Sequence, residues 1–332
     1  MFMYEINRKD LTQSIMAATL NQTRPSFCRK VFRKIRSELS IIAVKLRVNL
    51  LWPVYSALPG WKGTTDKDYR RQLIVSLTTF PPRIRTVHIT IRSLLMQDMK
   101  PNKIILWLAE DEFPGKNKDL PAELLSLRKY GLEINYCENI RSYKKLIPTL
   151  RLYPEAEIVT ADDDIYYRHN WLSSLYAEHV RHPEDICAHR ITKFYIDDSG
   201  SFRIVGGGYE VYPRPSFLHK FTGVGGVIYP LGCFHEDILR SEIFTEICTT
   251  NDDVWFWLMA VLTGRRIRVT EKNRTHLALA YVGETQKGPS LCHVNDKGEK
   301  LFWKDFHRML ERYPQLDKIL RDEYELMTGT KA

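Results

Sequence analysis

The sequence predicts an α/β fold, a mainly parallel sheet flanked by helices with an N-terminal helical arm. Three observations carry that expectation. From residue 73 onward short apolar runs alternate with stretches of helical period, the pattern of strands and crossover helices. At 332 residues and 44% hydrophobic content the chain can bury one large core or two smaller ones, and nothing in its composition suggests global disorder. The excess of basic over acidic residues sits in one N-terminal segment.

That segment is residues 1–71, read as a basic amphipathic helical arm. Val31, Ile35, Leu39, Ile42, Leu46 and Leu50 recur there at three- and four-residue steps, while Arg29, Lys30, Arg33, Lys34 and Arg36 crowd the start. Such spacing makes one apolar helix face. Lys45 and Arg47 interrupt the stretch from Leu39 to Leu51, so it falls short of the roughly 20 mostly apolar residues a bilayer span needs. Two readings stay open. Residues 28–51 lie on an anionic membrane surface, or the helix packs on the folded domain with its charges in water.

Residues 1–72 hold 14 Lys or Arg against 5 Asp or Glu, which accounts for the whole net charge of +9. A balanced remainder argues against a nucleic-acid partner, because nucleic-acid readers usually carry their positive surface on the folded module. Polar and acidic residues among the first 25, Glu5 and Asp10 included, break up any secretory apolar core. The six cysteines, Cys28, Cys137, Cys187, Cys233, Cys248 and Cys292, form no CxxC pair, which favours free thiols in a reducing compartment. A cytoplasmic location, peripheral on the inner face of the plasma membrane, is the expectation.

Past the arm, Leu73 to Leu77 reads as a strand and Ile84 to Met96 as the helix after it. A second strand spans Lys103 to Leu108, a helix follows from Pro121 to Lys129, and a third strand covers Leu132 to Cys137. Tyr143 to Leu152 reads as a helix leading into a fourth strand, Glu157 to Thr160. The βαβαβαβ series predicts parallel neighbours. Right after the fourth strand stand three carboxylates, Asp162, Asp163 and Asp164. In open α/β sheets ligands bind outside the carboxyl ends of the strands, so the triplet is placed for a ligand site. A solvated acidic turn is the alternative. A bridging divalent cation with phosphate oxygens would explain the clustering of like charge. Neither GxxxxGK[ST] nor GxGxxG follows the first strand, where TTFPPRIR stands instead, which disfavours a P-loop nucleotidase or a dinucleotide-dependent dehydrogenase.

The triplet resembles the DxD motif of GT-A glycosyltransferases, which hold a nucleotide-sugar diphosphate there with Mn²⁺ or Mg²⁺. Four ordered blocks, VSLTTFPPRIRTVHITIRSLLMQDMKPNKIILWL, SYKKLIPTLRLYPEAEIVTADDDIYY, GVGGVIYP and NDDVWFW, are similar to bacterial polysaccharide (capsule or O-antigen) glycosyltransferases over about residues 72 to 270. The last block is also similar to the EDV segment of β-1,3-galactosyltransferase-type enzymes, with Asp252 in place of the Glu. The resemblance implies a GT-A catalytic domain over 72–285 and leaves 286–332 as a C-terminal helical tail.

It also implies roles. Asp164 is the expected metal ligand, with Asp162 a second ligand or ribose contact and His293 a late ligand to metal or phosphate, or else a local structural histidine. Asp163 belongs to the motif's nucleotide-sugar contacts, although strand alternation would turn it away, toward a backbone hydrogen bond. Thr78, Arg83, Lys144 and Lys145 are candidates for nucleotide and diphosphate; an exposed helix face is the alternative for the lysines. Asp253 is the expected base and Asp252 a supporting acceptor contact, against the plain reading that both complement a helix dipole. Gly225 and Gly226, near Gly223, would let backbone approach an acceptor sugar or permit a tight turn. Trp255 would stack on that sugar or lie in the core. The expected reaction is inverting, metal-dependent transfer from a nucleotide-sugar to a polysaccharide or lipid-linked oligosaccharide. A retaining transferase, a metal-dependent phosphohydrolase and a noncatalytic carbohydrate-binding protein are the alternatives.

Overall fold

The computed structural model describes residues 27–205, 214–270, 280–283 and 299–329. Its elements begin with α1 (Phe27–Ala57), β1 (Leu73–Thr78), α2 (Val87–Leu95), β2 (Lys103–Ala109), α3 (Ala122–Leu125), β3 (Leu132–Cys137), α4 (Ile147–Leu152) and β4 (Glu157–Thr160). Next come β5 (Ile165–Tyr166), α5 (Trp171–Arg181), β6 (Ile186–Ala188), β7 (Ile191–Ile196), β8 (Phe202–Val205), β9 (His219–Phe221) and β10 (Val227–Tyr229). The order closes with α6 (Ser241–Ile247), α7 (Asp252–Val261), β11 (Ile267–Val269), β12 (Ala280–Tyr281), α8 (Glu299–Arg312) and α9 (Gln315–Thr328).

Seven strands form the central sheet in the order β11-β6-β10-β4-β1-β2-β3. β1 pairs in parallel with β2 on one side and β4 on the other, and β3 continues the parallel run beyond β2. β10 is antiparallel to both its neighbours, β4 and β6, so the sheet is mainly parallel with one reversed strand. Strand periodicity divides the apolar residues between two faces. Leu73, Val75, Leu77 and Val159 pack with α2 and α5 on one side. Ile74, Ile105 and Ile158 pack with α7, α8 and α9 on the other. Helices covering both faces explain why the strands read as nearly continuous apolar runs.

The helix boundaries differ from the periodicity, and proline is the reason. Pro81 and Pro82 give a 3₁₀ turn, Pro81–Arg83, and the α-helix begins only at Val87 rather than Ile84. Pro121 stands outside α3 as its extended N-cap, and Ser126–Tyr130 continues as a 3₁₀ turn closed by Gly131 at φ 108°. Arg141–Lys145 is likewise 3₁₀, and the α-helix starts at Ile147 with Pro148 in its first turn. A ring with fixed φ and no N–H suits a first turn, not a helix interior.

The arm helix packs on the domain along one side only. Val48 joins Tyr166, Ala280 and Val282, with Ile41 and Val44 against them. Trp52 enters the main core edge-on to Trp61 and Tyr130, at centroid separations of 6.0 and 5.1 Å. The Arg92 guanidinium lies 5.2 Å from the Trp52 ring. At the other end of the chain, Phe306, Met309, Leu316 and Leu320 of α8 and α9 are fully buried beneath α7. Truncating a buried aromatic leaves a cavity, so Trp52→Ala is expected to destabilise the chain by about 3 kcal/mol. Urea denaturation checks this; an unchanged midpoint would show that the helix does not depend on that anchor.

Candidate active site

The strand order reverses at β1 and β4, since β2 and β3 lie to one side of β1 and β4 to the other. Crevices at such switch points are where open α/β sheets receive ligands. Both carboxyl ends carry the predicted residues. After β1 come Thr79 and the 3₁₀ turn ending in Arg83; after β4 come Asp162, Asp163 and Asp164, with the last two in a turn.

Arg83 holds this acidic turn together. Its Nη1 lies 2.6 Å from Asp163 Oδ1 and 3.2 Å from Asp164 Oδ2. Thr79 Oγ1 donates to Asp163 Oδ2 at 2.5 Å, and Thr90 Oγ1 donates to the Asp163 carbonyl at 2.8 Å. Both carboxylate oxygens of Asp163 are therefore engaged inside the protein, by side chains rather than by the expected backbone group. Asp163 thus anchors the turn that presents its neighbours. Burial pushes the Asp164 carboxyl up to about 7, with Asp162 adding to the rise and Arg83 opposing it.

Lys145 makes the second connection. Its Nζ is 3.3 Å from Asp162 Oδ1, 2.9 Å from Asp252 Oδ2 and 3.9 Å from Asp253 Oδ1. Burial pulls the ammonium's pKa down, but Asp162, Asp252 and Asp253 together outweigh it and hold the pKa well above the ordinary lysine value. Asp252 and Asp253 open α7. Burial raises the Asp252 carboxyl despite Lys145. Asp253 is the more open of the two, its side chain 21% exposed against 9% for Asp252, and its Oδ2 accepts the Gly223 N–H at 2.9 Å. A Cβ at position 223 would lie 2.8 Å from Lys145 Nζ and 2.9 Å from Asp253 Oδ1. Only glycine leaves room there for the ammonium and the carboxylate.

Several predicted contacts fall elsewhere. Lys144 is buried and paired with Glu112 at 2.9 Å, not with the aspartates. Its neighbour Lys145 is no exposed helix residue but the central cation. Thr78 Oγ1 donates to the Trp107 carbonyl at 2.9 Å, tying β1 to β2. Gly226 stands at φ +94° with no room for a side chain against Trp171, and the Gly225 carbonyl accepts the Trp171 Nε1–H at 2.8 Å. The close approach is thus to the protein's own indole instead of a sugar. Trp255 is fully buried in the core, which leaves no ring face for an acceptor. His293 lies outside the described residues. Sequence reasoning missed Thr79, a strand-end threonine among several, and Tyr167, whose Oη accepts the Asp162 N–H at 2.8 Å. It also missed Lys220, a buried lysine close enough to feel the Asp253 charge.

Among the described residues no group of three or more His, Cys, Asp or Glu is arranged as a metal cage. Magnesium-type ions need none, since one or two carboxylates suffice when phosphates and water complete the shell. The described ion pairs set five carboxylates, Asp162, Asp163, Asp164, Asp252 and Asp253, against Arg83 and Lys145. The surplus of hard oxygen ligands fits a divalent cation at Asp162 and Asp164.

No family model matches the chain, and no curated protein matches it. Among solved structures it is similar to S. aureus TarS 1-349, at 15% identity and a TM-score of 0.44 over 77% of this chain and 71% of that one. It is also similar to the mannosyltransferase PcManGT from Pyrobaculum calidifontis in complex with GDP-Man and Mn²⁺, at 11% identity and a TM-score of 0.39 over 90% and 87%. CMP:2-keto-3-deoxy-manno-octonic acid synthetase complexed with CTP is similar at 13% identity and a TM-score of 0.34, over 59% and 87%. At such values the reading of the site rests on its own geometry.

The raised Asp164 carboxyl has a signed consequence. The folded chain holds that proton more tightly than the unfolded chain, whose aspartate titrates near the ordinary 3.8. Stability from this group is complete below that value and is lost as pH rises through about 7. Asp164→Asn is therefore expected to raise the metal-free melting temperature by a few degrees above about pH 8 and to change it little at about pH 4. Thermal scans at the two pH values check this; equal shifts at both would contradict the ionic origin.

Proposed function

We propose that the chain is a metal-dependent, inverting glycosyltransferase that moves a sugar from a nucleotide-sugar to a saccharide or lipid-linked acceptor. One observation carries the reading. Two acidic centres far apart in sequence, the turn after β4 and the start of α7, meet at one buried ammonium, Lys145. A single-centre binding turn has no need of the second pair, whereas group transfer needs a place for the leaving group and a place for the nucleophile.

Asp162 and Asp164 would hold Mn²⁺ or Mg²⁺, which when bound offsets the negative charge gathering on the departing diphosphate. Asp163, Thr79 and Arg83 keep that turn in shape. Of the α7 pair, Asp253 is the better base: Asp252 is locked to Lys145 at 2.9 Å, while Asp253 keeps an open side. The Gly223 N–H orients Asp253 by binding Oδ2, and the carboxylate, whose side chain is 21% exposed, takes the acceptor proton. As that O–H bond breaks, the acceptor oxygen bonds to the anomeric carbon. The bond from that carbon to the phosphate oxygen breaks in the same displacement, and its electron pair leaves with the nucleoside diphosphate. General-base assistance of this kind contributes roughly a hundred- to ten-thousand-fold.

Thermal stabilisation by UDP-, GDP- and dTDP-sugars with Mn²⁺ identifies the donor, because a ligand bound only by the native state raises its stability. With that donor, Asp253→Asn is expected to lower kcat by roughly a hundredfold or more and to leave donor stabilisation unchanged. Asp164→Ala is expected to remove the metal-dependent part of that stabilisation. Full turnover in Asp253→Asn would move the base elsewhere, and acceptor-independent release of free sugar or phosphate would make the chain a hydrolase.

A further inference from the structure

Helix α1 has two apolar faces, and the domain uses only one. Ile41, Val44, Val48 and Trp52 face the protein. Phe32, Ile35, Leu39, Ile42, Leu46, Leu50 and Val54 face outward, from 49% exposed at Ile42 to 73% at Phe32. At 3.6 residues per turn the first six fall within an arc of about 80°. This is a continuous stripe, not the scattered apolar residues any surface carries. Arg36 and Arg47 border it on one flank and exposed Lys34 stands on the other, while Lys45 lies toward the domain, its Nζ 5.9 Å from the Tyr166 ring centroid. Between Phe32 and Val54 five basic residues stand against one acid, Glu38.

We propose that α1 is an interfacial helix that seats the chain on an anionic bilayer surface through this outer stripe, with its basic flanks reaching the phosphate headgroups. Apolar burial to acyl depth combined with cationic flanks is how such helices bind. Among the described residues no helix is long and apolar enough to cross a membrane, so the mode is surface seating. A second copy of the chain fits less well. Heptad spacing holds from Phe32 through Leu46 and then meets Asn49 and Pro53, which is short of the three to four heptads a coiled coil sustains. The flanks of two such helices would also set like charge against like.

The seat is joined to the acidic turn. On the inner face of α1, Val48 packs with Tyr166 and Val282, Ser40 Oγ accepts from Arg168 Nη2 at 2.8 Å, and the Val282 N–H donates to the Asp164 carbonyl at 2.8 Å. Lipid contact through the outer face therefore fixes the chain's orientation without occupying the inner one. The inference stands apart from the transfer reaction, because vesicle binding is read with no donor or acceptor present.

The test is co-sedimentation of the full chain with vesicles of phosphatidylcholine alone and of phosphatidylcholine mixed with phosphatidylglycerol. Binding is expected to the mixed vesicles and to weaken as salt rises. The double variant Leu39→Glu/Leu46→Glu is expected to bind them on the order of a hundredfold less, with the native unfolding midpoint retained because both positions are exposed. Arg36→Ser/Arg47→Ser is expected to lose the salt-dependent part alone, and decides the matter should the first variant misfold. Native binding by the glutamate variant, or equal binding to both vesicle types, would overturn the proposal. So would a lipid-free dimer in sedimentation velocity that Leu39→Glu/Leu46→Glu dissolves.

Discussion

Lys145 Nζ lies 3.3 Å from Asp162 and 2.9 Å from Asp252, out of contact with bulk water. A buried ammonium without partners is intolerable, and so is a buried carboxylate. Each half of the site therefore makes the other half possible. The desolvation cost of such a group is recovered only when opposite charges lie close and well placed. That condition forces the turn after β4 and the first turn of α7 into one position, although the sheet alone would let either drift. The pairing sets arrangement more than net stability, since the Asp252 carboxyl stays raised by burial even beside its partner.

The backbone around this contact is constrained by the same need. Gly223 brings its N–H to Asp253 at 2.9 Å, in the 3₁₀ turn that leads into β10. β10 is the one reversed strand of the central sheet and runs beside β4. An antiparallel neighbour puts its start beside the end of β4, so the glycine turn arrives at the aspartates. A parallel strand in that position would deliver its far end instead. Gly226 at φ +94° then lets the chain pass Trp171, whose indole fixes the turn through the Gly225 carbonyl. The glycine cluster is thus a packing device for the site's own framework.

Much of the framework was legible because long apolar runs carry a strong signal. β3 and β4 have the bounds the sequence predicts, Leu132–Cys137 and Glu157–Thr160. Placement of the aspartates at a strand's carboxyl end followed from order alone. Their division of labour did not follow. Alternation assumes that strand geometry persists, but β4 stops at Thr160 and Asp163 and Asp164 lie in a turn. Which of them faces inward is decided by Thr79 and Arg83, contributed from another strand's end. Lys144 and Lys145 are adjacent and identical in type, yet a 3₁₀ turn sends one to Glu112 and the other to Asp162. Periodicity does not resolve a turn whose side chains part in this way. Trp255 was readable as core, since α7 is apolar nearly all round and such helices are buried.

The same physics relates the site to the arm. Five carboxylates in a low-dielectric crevice outnumber the cations beside them, Arg83 and Lys145 in ion pairs and the buried Lys220 near Asp253, and leave a negative field. A nucleoside diphosphate is itself an anion and would be repelled by that crevice, so donor binding requires further positive charge to enter with it or before it. On the proposed reading, a divalent cation at Asp162 and Asp164 would supply what the side chains lack and make the crevice attractive to the donor. The basic charge of α1 does not serve that purpose. Lys34, Arg36 and Arg47 flank an outward apolar stripe, whereas α1 meets β5, beside the acidic turn, through Val48 and through Lys45 over the Tyr166 ring. The chain thus keeps its positive excess on the helix and its negative excess in the crevice, joined through β5 and β12. That separation leaves the helix free to meet an anionic surface without neutralising the carboxylates of the crevice.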